Sequence, residues 1–129
     1  MANKAITYKV VVDEYGDRRW FVDGKISRHD GPAVECASGS MRWYVDDKLH
    51  REDGPAVEYV DGTKFWYVGG KRHREDGPAI EYASGVKYWY VDGNELTKVA
   101  FDAHIAAKQA DCVGKVVTVD GKKYRLEAV

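Results

Sequence analysis

The 129-residue sequence has few cysteines, no excess of charge of either sign and no long apolar run. Its two cysteines, Cys36 and Cys112, are isolated, so the chain has neither a CxxC metal or redox pair nor the cysteine density of a small secreted domain. Its 20 basic and 21 acidic residues give a net charge of −1, whereas duplex-binding proteins normally show a basic excess. We therefore expect two reduced thiols and no nucleic-acid partner.

Segments that target a chain to membranes, and motifs that mark common active sites, are also missing. No apolar run approaches the roughly 20 residues of a membrane span, and residues 1–17 do not have the pattern of a signal peptide. The sequence contains no P-loop, dinucleotide fingerprint or nucleophile motif. These absences predict a cytoplasmic protein that is not an enzyme, has no membrane span and uses no cofactor.

What the sequence does contain is an internal repeat. Its four tryptophans are separated by 23 residues each (43−20, 66−43 and 89−66), and each is followed by an aromatic residue and a valine. Segments of the form Arg-x-Asp-Gly-Pro-Ala begin at Arg28, Arg51 and Arg74, with the same spacing. A fixed period of this length is typical of stacked structural units, each of which contacts its neighbours in the array.

One copy of the repeat has the pattern of a β-hairpin. Residues 56–60 alternate as a strand does, Asp61-Gly62 favours a turn, and residues 63–68 are aromatic and β-branched and suit a return strand. Gly69-Gly70 then turns the chain again, before the next Gly-Pro corner. A single hairpin is marginal in water, so the copies are expected to stack side by side.

The ends of the chain depart from the repeat. Residues 7–12 are predicted to form a capping strand. An alanine-rich segment predicts a helix over 98–110, with Thr97 as its N-cap. Residues 115–119 and 122–126 then predict a closing hairpin, in which Asp120-Gly121 favours a type I′ turn.

The predicted fold is therefore mainly β: an antiparallel sheet of tandem 23-residue hairpins, capped by one C-terminal helix and a final hairpin. Residues 1–19 form the N-terminal strand and the start of the first repeat, residues 20–96 the repeats, and residues 97–129 the C-terminal cap. We expect this cap to cover the open edge or end of the repeat sheet.

The segment YVGGKRHREDGPAIEYASGVKYWYVDG, residues 67–93, resembles a MORN repeat. The usual His-Gly-x-Gly of that family is replaced at 73–78 by His-Arg-Glu-Asp-Gly-Pro, a variant that resembles repeats in small bacterial and tailed-phage proteins. The resemblance covers about residues 20–94. It implies an array of hairpins that serves as a binding or scaffolding surface for proteins or lipids, although a shared fold does not assign a function.

The repeated aromatic positions supply the candidate binding site. Regularly spaced tryptophans with valines two positions on are expected to form the core face of the sheet. Because side chains alternate along a strand, the intervening aromatic residues and arginines are expected on the opposite face. Aromatic residues and arginine are enriched at binding hot spots. The candidate partner-binding residues are Phe21, Arg42, Tyr44, Phe65, Tyr67, Tyr88 and Tyr90.

The repeated charged residues are expected to be structural. The arginines at 28, 51 and 74, with acidic residues two and seven positions on, recur in every copy, whereas a catalytic centre needs one asymmetric constellation. We interpret them as salt bridges that hold each corner, with a charged partner-binding edge as the alternative. His50 and His73 lie one period apart but lack a third and fourth ligand, so no metal site is predicted.

The leading functional hypothesis is a phage or bacterial protein that binds another protein and inhibits or scaffolds it, with a host immune component as a candidate target. One alternative is a protein that sequesters a small nucleotide between aromatic residues and arginines. Another is a structural module that forms homo-oligomers through an open sheet edge.

Overall fold

The computed structural model describes residues 6–112, 116–119 and 122–125, which contain 16 β-strands and one α-helix. The strands of the first part are β1 (Lys9–Val12), β2 (Arg18–Val22), β3 (Lys25–Ile26), β4 (Val34–Glu35), β5 (Met41–Arg42), β6 (Tyr44–Val45), β7 (Lys48–Leu49), β8 (Val57–Glu58), β9 (Lys64–Phe65), β10 (Tyr67–Val68), β11 (Lys71–Arg72), β12 (Ile80–Glu81), β13 (Lys87–Val91) and β14 (Asn94–Leu96). Helix α1 (Lys98–Cys112), β15 (Val116–Val119) and β16 (Lys122–Arg125) follow. The chain divides into two compact units, Met1–Glu95 and Leu96–Val129.

The predicted fold class is confirmed, because the strands form antiparallel sheets and one helix follows them near the C-terminal end. The largest sheet has ten strands in the order β1-β2-β4-β5-β8-β9-β12-β13-β14, with β3 paired to β2. The same register recurs at positions 23 residues apart: Val57 lies between Arg42 and Phe65, and Ile80 lies between Phe65 and Tyr88.

Each hairpin of this sheet turns at a glycine, as the sequence predicts. The Tyr59 amide donates to the Thr63 carbonyl at 2.9 Å, and the Gly62 amide donates back to the Tyr59 carbonyl at 3.0 Å. Gly62 has a φ of 96°, a conformation that side-chain-bearing residues adopt only at a cost. The turn therefore contains three residues, with glycine at the last of them.

The predicted return strand over 63–68 differs from the observed structure, in which it is divided into β9 and β10 at Trp66. The Trp66 amide donates to Ala79 of the next copy at 2.8 Å, whereas Tyr67 pairs with Arg72 within its own copy. The chain thus changes hydrogen-bond partners at the tryptophan. The segment beyond it becomes a two-stranded ribbon, β10-β11, which turns through Gly69 and Gly70 at φ values of 58° and 84°.

Successive ribbons are joined by side chains one period apart that accept hydrogen bonds from the next ribbon. Ser27 Oγ accepts from the Asp46 amide at 3.2 Å, and His50 Nδ1 accepts from the Gly69 amide at 2.9 Å. His73 Nδ1 accepts in the same way from the Asp92 amide, at 3.0 Å. The two histidines are therefore structural acceptors that hold adjacent ribbons together.

A second set of side chains joins successive hairpins of the long sheet. Ser40 Oγ accepts from the Val60 amide at 3.2 Å, and Thr63 Oγ1 accepts from the Ala83 amide at 3.1 Å. Both hydroxyl-bearing residues are buried, at 8% and 7% exposure. A small hydroxyl residue at this position therefore satisfies a turn amide of the following copy.

Replacing Thr63 by valine should remove this acceptor while keeping the shape of the side chain. The Ala83 amide would lose a hydrogen bond worth about 1 kcal/mol, so its exchange with solvent should accelerate roughly fivefold or more. Hydrogen exchange measured by NMR checks this. Thr63→Ser, which copies Ser40, should retain the protection, and equal exchange in both variants would contradict the assigned bond.

The core lies at the Ala-Val and Ala-Ile pairs that follow each proline. These residues are at most 5% exposed, and they are Ala33, Val34, Ala56, Val57, Ala79 and Ile80. The tryptophans, which the sequence predicts as the core face, are only half-buried. Each of these alanine carbonyls accepts a hydrogen bond from the tryptophan amide of the preceding copy.

Strand β1 (Lys9–Val12) lies within the segment 7–12 that the sequence predicts as a capping strand, and it pairs antiparallel with β2. The connection between them is ordered by Asp13, whose Oδ1 accepts from the Tyr15 and Asp17 amides at 2.9 and 3.1 Å. Its Oδ2 accepts from Arg19 Nη1 at 2.8 Å. The Arg19 hydrogen bond, followed by the two backbone bonds, lowers the pKa of the Asp13 carboxyl below its usual range.

The second unit contains the predicted helix and hairpin. Thr97 Oγ1 accepts from the Ala100 amide at 3.1 Å, which confirms the predicted N-cap, and the helix runs two residues beyond the predicted end, to Cys112. Strands β15 and β16 pair from Val116 opposite Arg125 to Val119 opposite Lys122. The predicted type I′ turn at Asp120-Gly121 lies outside the described residues. No helix in the described part of the chain is long and apolar enough to cross a membrane.

Candidate functional site

The repeated Arg-x-Asp-Gly-Pro segments form what we call the arginine corners, centred on Arg28, Arg51 and Arg74. At the central corner, Arg51 Nε donates to Asp53 Oδ1 at 3.1 Å, and Nη1 donates to the Pro55 carbonyl at 3.1 Å. Glu58 Oε2 lies 3.9 Å from the same Nη1. The guanidinium carbon lies 3.9 Å above the centre of the Trp43 ring, a cation–π contact.

The other two corners repeat this geometry, which confirms the predicted structural salt bridges. Arg28 lies 4.1 Å above Trp20 and Arg74 lies 3.9 Å above Trp66. Their Nε atoms donate to the aspartates two residues on, at 2.8 and 2.7 Å. The Arg28 hydrogen bond is the main cause that lowers the pKa of the Asp30 carboxyl.

The glycine of each corner leaves the space that the guanidinium group occupies. A Cβ on Gly54 would lie 2.9 Å from Arg51 Cζ, and one on Gly77 would lie 2.8 Å from Arg74 Cζ. Contacts below about 3 Å are shorter than carbon atoms tolerate, so any side chain would displace the arginine. The repeated Arg-x-Asp-Gly-Pro sequence is therefore explained by packing and hydrogen bonding within the corner.

Two open grooves lie between successive corners, with volumes of about 780 and 680 Å³. In the first groove, Trp43, Val45 and His50 lie among the lining residues together with two corners. His50 Nε2 lies 3.5 Å from Glu52, while its Nδ1 is held by the next ribbon. Within the described ranges, no group of three or more His, Cys, Asp or Glu residues is arranged to hold a metal ion.

The structure divides the predicted binding residues between the long sheet and two short ribbons, because the chain changes strand partners at Trp43 and Trp66. Arg42, Phe65 and Tyr88 lie on the long sheet, whereas Tyr44 and Tyr67 lie on the short ribbons. Phe21 on β2 pairs with Lys9 and Ile26, and Tyr90 lies beyond Trp89 on the continuous strand β13. The sequence predicts that these aromatic residues and arginines share one face of one sheet, whereas the structure separates them into two clusters.

The first cluster, which we call the aromatic ladder, consists of Tyr59, Phe65, Tyr82 and Tyr88. Consecutive rings meet edge to face, with centroid distances of 5.7, 5.9 and 6.0 Å. The Arg42 guanidinium lies 5.9 Å from the Tyr59 ring, at one end of the ladder. Its three tyrosines remain 37–41% exposed, so the ladder presents an aromatic strip to solvent.

The second cluster joins two ribbons through Arg72. Arg72 Nε donates to the Tyr67 hydroxyl at 3.2 Å, and Nη1 donates to the Tyr90 hydroxyl at 3.5 Å. Its guanidinium carbon also lies 5.2 Å from the centre of the Tyr90 ring. The hydrogen bond that Arg72 donates to the Tyr67 hydroxyl is the largest cause that raises the pKa of Arg72. These contacts are internal and hold adjacent copies together.

Sequence reasoning missed Tyr59 and Tyr82 as members of the exposed strip. The sequence does contain a signal for them, because Tyr59 and Tyr82 lie one 23-residue period apart. Cys36 occupies the equivalent position of the preceding copy. Each tyrosine follows the glutamate of its copy, on the same side of the strand as the buried Val57 or Ile80. Their rings therefore lie on the same face of the sheet as Val57 and Ile80 and help to cover these aliphatic side chains.

Comparison of the chain with family models, with curated proteins and with solved structures gave no match.

Proposed function

We propose that this chain is a non-enzymatic binding protein that engages another protein through the aromatic ladder. The observation that carries the proposal is the exposed row of edge-to-face rings with Arg42 at its end. Isolated exposed apolar residues are ordinary on protein surfaces, whereas contiguous ones mark interaction sites. Tyrosine and arginine also supply much of the binding energy in known interfaces.

The geometry supports a rigid recognition surface. Phe65 pairs across the strands with the buried Val57 and Ile80, so the centre of the ladder rests on the best-packed part of the sheet. A side chain that is already ordered loses little conformational freedom when a partner binds. The ladder therefore suits a partner that presents a flat apolar surface, which the chain would inhibit by occlusion or hold as a scaffold.

The same structure favours a protein partner over a small nucleotide. The nucleotide alternative requires arginines that are free to meet phosphate. The three corner arginines instead donate both Nε and Nη1 within their own corners. A phosphate would therefore meet guanidinium groups that are already engaged at two nitrogens and covered on one face by a tryptophan ring.

The test compares partner recovery by three tagged forms of the full chain from a bacterial lysate. Tyr59→Ala combined with Tyr82→Ala should reduce recovery of a stoichiometric protein at least tenfold, since each hot-spot tyrosine contributes roughly 1–2 kcal/mol or more. The control is Lys64→Ala with Lys87→Ala. These lysines lie on strands β9 and β13, on the face opposite to the aromatic ladder. This control should recover the partner as the unaltered chain does.

Equal recovery by both variants would refute the ladder as the site, provided that thermal melting shows both to be folded. A melting temperature that rises with a cyclic nucleotide, together with no stoichiometric protein, would instead support the sequestering function.

A further inference from the structure

Strand β1 forms an apolar edge of the long sheet. It is the first strand in the sheet order and, among the described residues, pairs with β2 alone. Val10, Val11 and Val12 are 48, 38 and 57% exposed. Ile6 and Tyr15 on either side are 48 and 75% exposed. Among the residues whose exposure the structure describes, five of the twelve exposed large hydrophobic residues therefore lie within residues 6–15.

The backbone of this edge is oriented to accept another strand. Trp20 donates its amide to Ala33 and accepts at its carbonyl from Ser27, both on the side away from β1. Val10 faces Trp20, so these two residues form a pair without mutual hydrogen bonds. The amide and carbonyl of Val10 therefore point away from β2, and those of Val12, two residues on, do the same.

Natural sheets usually protect such an edge with charges, proline or a covering segment. Strand β1 carries one charge, that of Lys9, and its three valines have high β propensity. An outward row of backbone groups flanked by exposed valines is a template for an additional strand.

We propose that β1 pairs antiparallel with β1 of a second copy of this chain, about a two-fold axis at Val11. In this register Val11 faces Val11, Val10 faces Val12, and Lys9 faces Asp13 of the second copy. The outward groups of Val10 and Val12 then form the hydrogen-bonded pairs, and the two long sheets become continuous.

This register is selected because it matches apolar side chains and opposite charges across the two strands. The match is between β1 and itself, which indicates that the added strand comes from a second copy of the chain. Moving the axis to Val10 would place Lys9 opposite Val11, and moving it to Val12 would place Val10 opposite Glu14. With the axis at Val11, Lys9 faces Asp13, whose carboxylate also accepts from Arg19 of its own chain, and the valines face one another.

The first experiment is sedimentation velocity on the full chain over a hundredfold concentration range. The unaltered chain should move from its monomer mass of 14.6 kDa towards twice that mass as concentration rises. Val11→Lys and Val11→Glu should each sediment as monomers, because each places like charges together at the axis. An equimolar mixture of the two should restore the dimer.

Two outcomes would overturn the proposal: an unaltered chain that stays monomeric at the highest concentration, or two folded charge variants whose mixture does not associate. If a charge variant fails to fold, Val10→Pro serves in its place. It removes an outward amide that β2 does not use, so the fold should persist while the dimer is lost.

A cross-linking experiment tests the register itself. In a Cys36→Ser, Cys112→Ser background, Val11→Cys should form a covalent dimer under mild oxidation, since facing residues without mutual hydrogen bonds have close Cβ atoms. Val12→Cys, which faces Val10 of the second copy, should cross-link at least tenfold less. Equal cross-linking at both positions would refute the register. The inference does not rest on the aromatic ladder, so the two proposals can fail separately.

Discussion

Replacing Arg51 by alanine should lower the free energy of unfolding by about 3 kcal/mol, one of the two largest effects that we expect in the repeat. The guanidinium makes four contacts at once: Asp53, the Pro55 carbonyl, Glu58 and the Trp43 ring. Its side chain is 23% exposed, so these contacts are only partly screened by solvent. Removing it also leaves the Pro55 carbonyl without this donor.

Urea unfolding of the two variants Arg51→Ala and Arg51→Lys measures this effect. Lysine keeps the charge but lacks the planar group that donates in two directions and stacks on the indole, so it should recover less than half of the loss. Glu52→Ala is the matched control on the adjacent residue, because Glu52 is 82% exposed and contacts only His50 among the described ion pairs. It should change stability by at most about 0.5 kcal/mol. A similar loss in Arg51→Ala and Glu52→Ala would show that the corner contributes little.

Truncating Ile80 to alanine should also cost about 3 kcal/mol, within the range for large buried aliphatic residues. Ile80 is 3% exposed and lies across the strands from Phe65 and Tyr88, so its loss would leave a cavity beneath the aromatic ladder. The ladder rings would then lose part of their support as well.

The repeat provides an internal control for this substitution. The equivalent residues of the two preceding copies are Val34 and Val57, which are 5 and 3% exposed. Ile80→Val should therefore cost only about 1 kcal/mol. Thermal or urea unfolding of both variants tests the ranking, and a loss in Ile80→Val as large as that in Ile80→Ala would indicate that the packing of this copy differs from that of the others.

The sequence predicts the hairpins well because their signals are local. Asp61-Gly62 and Gly69-Gly70 require particular backbone conformations, and the chain turns at both. Thr97 caps the helix through a bond to Ala100, three residues away. In each instance the residues that determine the geometry are neighbours along the chain.

The division of the binding strip was not predictable by the same argument. Alternation along a strand assumes that the strand keeps one partner, whereas the hydrogen bonds of Trp66 and Tyr67 go to different copies. That change depends on contacts between residues more than ten positions apart. The role of Tyr59 and Tyr82 follows from the same stacking, because their rings meet Phe65 from two adjacent copies.

The bonds between copies have a genetic consequence. His50 bonds to the ribbon of the next copy as His73 does, and Ser40 and Thr63 repeat a second connection in the same direction. A copy therefore presents one surface to the preceding copy and the complementary surface to the following one. An in-frame duplication of 23 codons inside the array would add a unit that already fits both neighbours (66−43 = 23). Such a duplication would lengthen the sheet without requiring a new interface between copies.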